Sequence, residues 1–331
     1  MIALDANGAD GGPALVAEGA RRSGEDVMLF GPAAELAGTQ AEVVDAPERI
    51  GGDEEPVRAV RSRPRASIVQ AAKAVADGRA EALVSAGSTG PTLAAAALSI
   101  KRLRGVHRPA IAALLPLPTG PVLLLDAGAN TEVRPEHLVQ FAYMGAAFME
   151  AVVGTERPRV GLLSVGSESG KGTSDVLAAR ERLEEGELDF AGNVEGFDLT
   201  AGTVDVLVTD GFTGNVALKV AEGASRTVRD AIRDRVRSGG PLAMLGGLLI
   251  RGPVARLRAE LDPERVGGAL LLGLRRPVVI AHGSFGPDGI AAAVGLARRA
   301  VDERMVERTA GALERAGALR SVPAGSVATN G

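Results

Sequence analysis

Short apolar segments that end in glycine-rich, polar turns recur along this chain, and most of these turns lead into a helical pattern. The chain opens in this way: residues 2–6 predict a buried strand, and residues 14–22 predict the helix that follows. The same order returns at Ala82–Ser85, which precedes an alanine-rich helix predicted over residues 92–103. Repeated units of strand, glycine turn and helix are typical of an α/β fold with a mostly parallel, doubly wound sheet.

The composition agrees with this fold class. Of the 331 residues, 46% are hydrophobic and 24% are charged, but only 2% are aromatic, so aliphatic side chains must form the core. Aliphatic cores suit parallel sheets that are covered by helices on both faces. We predict a single α/β catalytic domain over residues 1–320 and a small, polar, disordered tail over residues 321–331.

Charge and residue usage exclude several classes of function. The net charge of −4 argues against a nucleic-acid-binding protein. The chain has no cysteine, which excludes disulfides, a thiolate nucleophile and cysteine metal sites. Its three histidines, His107, His137 and His282, are far apart in sequence, so we expect neither a metal nor a cofactor. The chain starts with a strand pattern and not with a basic, apolar leader, which predicts a cytoplasmic protein.

Six glycine-containing turns follow predicted strands, and we expect them to share one site. Ligands of doubly wound folds bind beyond the carboxyl ends of the strands. Tight turns also need glycine for purely structural reasons, so the polar residues on these turns carry the prediction. The turns lie at residues 7–12, 86–90, 128–130, 166–172, 196 and 211–215.

One turn carries a lysine between glycines, in the stretch GLLSVGSESGKGT at residues 161–173. Gly166, Gly170 and Gly172 surround Lys171, and a helix is predicted to start just after them, with Thr173 or Ser174 as its N-cap. Backbone N–H groups at a helix start bind anions, and an ammonium adds a full charge. Only four of the 37 basic residues are lysines, which favours a specific need for a compact ammonium over a solvated loop lysine.

Two nucleotide motifs are absent. The Lys171 turn resembles a phosphate-binding P-loop, but its spacing is one residue short and Gly172 stands where a serine or threonine would hold magnesium. No G-x-G-x-x-G with an acidic residue about twenty positions further on is present, which weakens any nicotinamide-binding interpretation.

A ten-residue apolar run at residues 241–250 is flanked by arginines. It is far shorter than the roughly twenty residues needed to span a bilayer. We predict a projecting helical hairpin over residues 225–265 whose tip lies on an anionic membrane surface or, alternatively, packs in a dimer interface or core. The tip residues are Arg237, Leu242, Leu245, Leu248, Leu249, Ile250, Arg256 and Arg258.

Several motifs follow one another between Ile2 and about residue 315: ALDANGAD, VSAGSTG, RPAIAALLP, DAGAN, PEHLVQFA, PRVGLLSVG with GKG, GNVEG, DGFTGN and IAHGS. Together and in this order, they resemble the motifs of the bacterial phosphate acyltransferases of phospholipid synthesis. The chain differs from that family's usual pattern at Asn7, Ala9, Gly11 and Ser88.

This resemblance implies transfer of a long-chain fatty acyl group from acyl carrier protein to inorganic phosphate, which gives acyl phosphate for phosphatidic acid synthesis. It also implies an α/β/α sandwich similar to the isopropylmalate dehydrogenase fold and a homodimer. The family attaches to the inner face of the membrane through an apolar helical tip, which favours membrane contact for residues 241–258.

A thioester is already reactive, so phosphate can attack it without an enzyme nucleophile. We expect Lys171 to gather phosphate and Asn215 to donate to the oxyanion that forms. For His282 a structural role is an equal alternative, and His107 and His137 are expected to be structural. The further residues predicted to bind substrate or phosphate are Asp5, Gly8, Ser88, Thr89, Gly90, Asn130, Gly166, Gly170, Gly172, Asn193, Gly214 and His282.

Two alternatives stay open. A phosphotransacetylase-like enzyme would use the same phosphate pocket with coenzyme A thioesters. A peripheral membrane scaffold without catalysis would bind lipid and form no acyl phosphate.

Overall fold

The computed structural model describes residues 1–320, so the tail predicted over residues 321–331 lies outside the described residues. One sheet has the strand order β3-β2-β1-β4-β11-β10-β5-β6-β9-β7-β8. Its strands are β1 (Ile2–Asp5), β2 (Val27–Gly31), β3 (Glu42–Asp45), β4 (Ala82–Ser85), β5 (Ala110–Leu115), β6 (Val122–Leu125), β7 (Arg159–Leu163), β8 (Asp189–Val194), β9 (Val206–Val208), β10 (Ala269–Leu272) and β11 (Val278–Ile280).

Helices connect most of the strands, and a π-helical turn, Met149–Val153, extends one of them. They are α1 (Gly12–Ser23), α2 (Pro56–Ser62), α3 (Ser67–Ala76), α4 (Thr89–Ser99), α5 (Pro135–Phe148), α6 (Ser174–Glu184), α7 (Asp198–Ala201), α8 (Gly211–Ser238), α9 (Gly240–Leu249), α10 (Arg251–Glu260), α11 (Pro263–Val266), α12 (Pro287–Asp302) and α13 (Met305–Arg315).

Two hydrophobic clusters cover the two faces of the sheet. Alternate residues of a strand point to opposite faces. Ile2 and Leu4 of β1 therefore join the cluster that contains α1, α5, α6, α12 and α13 residues, while Ala3 joins the cluster built with α3 and α4. The predicted α/β/α sandwich with a mostly parallel sheet is confirmed.

The centre of the sheet is antiparallel. β10 is antiparallel to both β11 and β5, and β5 is antiparallel to β6, whereas the remaining pairs are parallel. Strand direction reverses three times between β11 and β6. The strands β6, β7, β8 and β9 therefore run in the opposite direction to β1, β2, β3 and β4. The turns after β1 and β4 therefore leave one end of the strands, and the turns after β6, β7, β8 and β9 leave the other. The prediction that all six turns share one edge was wrong for this reason.

Three local predictions also differ from the structure. Helix α4 begins at Thr89, three residues before its predicted start, and α8 begins at Gly211, within the turn predicted at 211–215. In both cases the polar residue before the first turn, Ser88 or Asp210, occupies the N-cap position, so the glycines lie inside the first turn. Strand β10 was not predicted, because its four residues lie between glycines beside the hairpin region.

Residues 135–152 have the sequence pattern of a long amphipathic helix, but α5 is buried on all sides. Every residue from His137 to Phe148 is buried. The helix contacts the sheet strands β6, β7 and β9 on one side and helices α6 and α13 on others, which leaves no solvent face. Neighbouring elements that are distant in sequence thus override the sequence pattern of this helix.

Helices α8, α9 and α10 form an arm with almost no buried side chains. The only buried residues of α8 are Gly211 and Gly214 at its start, and α9 and α10 have none. Leu242 is 84% exposed and Leu249 is 75% exposed. No helix among residues 1–320 is both long and apolar enough to cross a bilayer.

Candidate functional site

Asp126, at the end of β6, organises the turn that follows it. Its carboxylate is fully buried and accepts hydrogen bonds from the backbone N–H groups of Ile111, Gly128, Ala129 and Asn130, at 2.8–3.1 Å. Burial raises the pKa of Asp126, against the effect of these hydrogen bonds. The carboxylate therefore ties the turn at 127–130 to the start of β5.

Asn130 has a structural task at this turn. Its Nδ2 donates to Asp126 Oδ2 and to the Pro109 carbonyl, both at 2.8 Å, and its own carbonyl accepts from the Gly211 N–H at 2.6 Å. Because Asn130 is 9% exposed, its side chain braces the turn and presents little surface to a ligand.

The start of α8 lies directly against the Asp126 turn. Asp210 caps the helix by accepting from the Thr213 N–H at 2.8 Å. Gly214 approaches the Asp126 carbonyl so closely that a Cβ there would overlap its oxygen. On the other side, a Cβ on Gly128 would lie 3.7–3.8 Å from the side chain of Asn215. Asn215 is thus exposed in the second turn of α8, beside the Gly128 backbone.

Gly214→Ala is expected to destabilise the protein by about 1–3 kcal/mol or more, because the added methyl forces the start of α8 away from the Asp126 carbonyl. Thermal unfolding followed by circular dichroism measures the loss. Gly295→Ala on α12 is the matched control, since a Cβ there meets only open space. It should be neutral or stabilising by up to about 1 kcal/mol. Equal melting temperatures for the two variants would contradict the close approach.

The Lys171 turn follows β7 and ends in the cap of α6. Thr173 is the N-cap, and its hydroxyl accepts from the Val176 N–H at 3.3 Å, which confirms one of the two predicted caps. Gly172 has a φ of +121°, a conformation that other residues rarely adopt. The side chain of Lys171 is exposed and forms no ion pair among residues 1–320, whereas Lys219 pairs with Glu222 at 2.9 Å.

Asn193 of β8 lies beneath the Lys171 turn. Its Nδ2 donates to the carbonyls of Glu168 and Lys171, both at 2.9 Å, and the residue is 5% exposed. Asn193 was predicted to bind substrate or phosphate. In the structure it is buried and contacts the backbone of the turn instead.

The two predicted catalytic residues follow neighbouring parallel strands. β9 lies between β6 and β7, and β8 follows β7 at the edge of the sheet. Parallel neighbours are about 4.8 Å apart, so their exits are adjacent. Asn215 follows β9 and Lys171 follows β7. One end of these strands therefore carries the Lys171 ammonium, the Asn215 amide and the N-terminal ends of α6 and α8. Such groups are suited to binding an oxyanion.

A second group of predicted residues lies at the opposite strand ends, after β1, β4 and β11. Asp5 is 2% exposed and accepts from the Ser85 hydroxyl at 2.8 Å. Burial raises the pKa of Asp5, opposed by hydrogen bonds from Ser67 and Ser85 and by the charge of Arg49. A cavity of about 10 Å³, about the size of one water molecule, lies beside it and is lined by Gly8 and Ser88 among others.

The remaining residues of this group, Thr89, Gly90 and His282, follow the same strand ends but do not line that cavity. Ser88 caps α4, and Thr89 and Gly90 form its first turn, where a Cβ on Gly90 would contact Pro56. His282 is exposed, and its Nδ1 lies 2.8 Å from the Ser284 hydroxyl, a local contact beyond the end of β11. No described hydrogen bond or ion pair joins this group to Lys171 or Asn215.

His107 and His137, which we expected to be structural, are not isolated from each other. Their ring centroids are 5.5 Å apart, and Glu136 completes a three-residue cluster. Burial lowers the pKa of both histidines. His137 Nδ1 accepts from the Arg134 N–H at 3.2 Å and so helps to cap α5. This contact occupies one ring nitrogen, and the N-terminal end of α5 opposes a cation, so the cluster is a poor metal site.

Asp126 and Asp210 build the site but were not among the site residues predicted from the sequence. A signal was present, because β1, β6 and the segment after β9 each lead into an aspartate followed by glycine and asparagine. An aspartate at that position can accept N–H groups of its own turn, as Asp126 and Asp210 both do.

Comparison with known proteins places the chain among related sequences. Residues 1–308 match the family described as "Fatty acid synthesis protein". A phosphate acyltransferase of Thermobifida fusca is 45% identical over 324 residues, which cover 93% of this chain and 89% of the relative. A phosphate acyltransferase of Gloeobacter violaceus is 44% identical over 322 residues, covering 93% of this chain and 95% of the relative.

A solved structure has the same fold. It is described as a phosphotransacetylase from Streptococcus pyogenes, with a TM-score of 0.60 and 18% identity, and the match covers 93% of this chain and 94% of that one. At this level of identity the similarity concerns the fold alone.

Proposed function

The chain belongs to the fatty acid synthesis protein family of phosphate acyltransferases, and we propose that it transfers a long-chain acyl group from acyl carrier protein to inorganic phosphate through Lys171 and Asn215. That it is an acyltransferase with phosphate as acyl acceptor follows from its relatives. The carrier protein, the site residues and the membrane are our proposals. Residues 1–320 would act as one catalytic domain, with the α8–α10 arm as its contact surface.

In the proposed reaction a phosphate oxygen attacks the thioester carbonyl carbon. The tetrahedral intermediate places a negative charge on the former carbonyl oxygen, and its collapse breaks the carbon–sulfur bond. The products are an acyl phosphate and the free thiol of the carrier, which takes up the proton that hydrogen phosphate gives up. No residue needs to be acylated, in keeping with a chain that has no cysteine.

The observation that carries this proposal is the pairing of two turns on adjacent strands. Lys171 forms no ion pair among the described residues, and it supplies positive charge for phosphate. Asn215 supplies a neutral donor next to the exposed Gly128 backbone, where a developing oxyanion could be bound. The glycines at 170 and 172 flank Lys171, and Gly166 begins the same turn, whereas Gly214 lets α8 start against the Asp126 carbonyl. Asn193 holds the Lys171 turn, and the Asn130 carbonyl accepts from the Gly211 N–H at the start of α8.

For the second group we propose substrate contacts away from the phosphate. Asp5, Gly8, Ser88, Thr89, Gly90 and His282 follow strands of the opposite direction, so they would contact another part of the acyl donor. This assignment is independent of the roles proposed for Lys171 and Asn215. If it is wrong, those roles are unaffected.

The activity test uses the purified protein with palmitoyl acyl carrier protein and phosphate. We expect a product that hydroxylamine converts rapidly to palmitoyl hydroxamate, in a phosphate-dependent amount above the slow direct reaction of hydroxylamine with the thioester. Phosphate-independent release of free fatty acid would indicate a thioesterase and overturn the proposal. Equal or better turnover with palmitoyl coenzyme A would support the phosphotransacetylase-like alternative, and lipid binding without any product would support the scaffold.

The arm is proposed to contact acyl carrier protein and an anionic membrane surface on the cytoplasmic side. Its apolar residues Leu242, Leu245, Leu248, Leu249 and Ile250 are 49–84% exposed. Arginines flank them, and acidic partners and anionic lipid headgroups both favour such a surface. The arginines that we assign to this contact are Arg237, Arg256 and Arg258.

Replacing these three arginines with glutamate is expected to lower kcat/KM for palmitoyl acyl carrier protein by about 10-fold or more, because attraction of an acidic carrier becomes repulsion. Turnover of palmitoyl coenzyme A should stay unchanged. The matched control replaces Arg58, Arg61 and Arg65, which are exposed away from the arm.

The membrane role of the arm is tested with a separate variant. Leu245→Glu combined with Leu249→Glu should abolish sedimentation with anionic vesicles. Unchanged carrier kinetics and unchanged vesicle binding would remove both roles from the arm.

A homodimer is proposed from the exposed stripe of α8. Val216, Val220, Val228 and Ile232 are 46–63% exposed and recur at intervals of four or eight residues, so they lie along one side of the helix. A stripe of this kind on an otherwise polar helix is typical of helix–helix association. Sedimentation equilibrium of the wild type and of Val220→Asp with Val228→Asp tests it.

A further inference from the structure

The Lys171 turn is held from below by one buried side chain. Asn193 uses both N–H bonds of its amide for the turn, one to the Glu168 carbonyl and one to the Lys171 carbonyl, each at 2.9 Å. The Lys171 N–H closes the same turn onto the Glu168 carbonyl at 3.0 Å. The backbone on either side of Lys171 Cα is therefore fixed, while its side chain is left exposed.

The position of Asn193 follows from the register of the sheet. Leu162 of β7 pairs with Asn193 of β8, so the two side chains point to the same face. Ser164, two residues after Leu162, points to that face as well. The turn folds back over both polar side chains: a Cβ on Gly172 would lie 3.0 Å from the Ser164 hydroxyl.

Both polar side chains keep an atom without a partner. Asn193 Oδ1 and Ser164 Oγ are buried and have no hydrogen-bond partner among the described residues. Buried polar atoms of this kind lower stability, so an apolar residue at position 193 would suit packing better. The two hydrogen bonds that Asn193 donates to the turn explain why an asparagine stands at this position.

We propose that Asn193 is a positioning residue that presents the Lys171 ammonium to phosphate. The inference rests on the proposed role of Lys171 and goes beyond it by assigning the geometry of the turn to a residue on a different strand. Asn193 does not touch the phosphate. Its amide sets the direction in which Lys171 leaves the turn, and the left-handed Gly172 lets the chain return to α6.

The test variant is Asn193→Asp, which keeps the shape of the side chain and replaces its donor group with an acceptor facing two carbonyls. We expect kcat/KM for phosphate to fall about 10- to 100-fold, since small displacements of a binding group have effects of this size. KM for the acyl donor should stay unchanged. The matched control is Gln70→Glu, which removes a similar amide contact, to the Pro64 carbonyl at 2.8 Å, far from the turn.

A second readout follows Lys171 itself. The chain has four lysines, Lys73, Lys101, Lys171 and Lys219, all exposed, so labelling with an amine-reactive reagent and peptide mass spectrometry resolves each of them. In the wild type we expect phosphate to protect Lys171 and none of the other three. In Asn193→Asp we expect Lys171 to be labelled at the same rate with and without phosphate.

The possible outcomes separate this inference from the function on which it rests. Protection of Lys171 by phosphate that is equal in the wild type and the variant would overturn the positioning role and leave the proposed function intact. No protection in the wild type would overturn the phosphate role of Lys171, and the positioning role with it. If Asn193→Asp does not fold, Asn193→Ser, which keeps one donor, is measured in the same way. It should show a partial loss of protection, and full protection would overturn the proposal.

Discussion

Lys171→Ala is expected to lower turnover roughly 100- to 1000-fold and to leave the protein folded. The contacts described for Lys171 involve its backbone N–H and carbonyl, so removing the side chain leaves the turn in place. What is lost is the positive charge that gathers phosphate and offsets negative charge in the transition state. Hydroxylamine trapping at varied phosphate concentrations measures kcat and KM, and circular dichroism checks the fold.

Two further lysine variants control for charge and for surface effects. Lys73→Ala removes an exposed lysine on α3 and should have wild-type turnover. Lys171→Arg keeps the charge but offers a planar guanidinium in place of a compact ammonium, so we expect intermediate turnover. Near-normal turnover of Lys171→Ala would remove this residue from the mechanism.

Asn215→Ala is the second large expected effect, again a loss of roughly 100- to 1000-fold in turnover. The loss should fall mainly on kcat, because the oxyanion that Asn215 is proposed to bind forms only as phosphate attacks. Stability should not decrease, since Asn215 is exposed within α8 and alanine is the better helix former. The same trapping assay and thermal unfolding measure both quantities.

Asn215→Asp tests the sign of the interaction. The variant has the same shape but places a carboxylate where the oxyanion would form, so its turnover should be lower than that of Asn215→Ala. If Asn215→Asp is the more active of the two, Asn215 does not donate to a negative charge. Gln70→Ala, which removes an amide on α3, serves as the control with unchanged kcat.

Strand positions could be predicted closely from the sequence. β4 has the predicted bounds, Ala82–Ser85, and β1 ends at Asp5, one residue before its predicted end. Both are fully buried apolar runs that stop at polar or glycine-rich turns, and such signals are local. The Lys171 turn and its Thr173 cap were predicted for the same reason.

Strand direction was not predicted, although part of the signal was in the sequence. Residues 116–121 between β5 and β6 are too few for a parallel crossover, which takes about a dozen residues or more. The five residues 273–277 between β10 and β11 are also too few. Since β10 itself was not predicted, its two antiparallel pairings were missed, and with them the separation of the glycine turns into two groups.

The sequence by itself determined which segments become strands, which turns carry glycine with lysine or asparagine, and to which family the chain belongs. These properties depend on residues that are close together in the chain. Only the tertiary structure decided which turns meet. The Asp126 carboxylate takes an N–H from Ile111, 15 residues away, and Asn193 donates to a carbonyl 22 residues away. Contacts of this range form only when β5 pairs with β6 and β7 pairs with β8, because they join residues that are far apart in the chain.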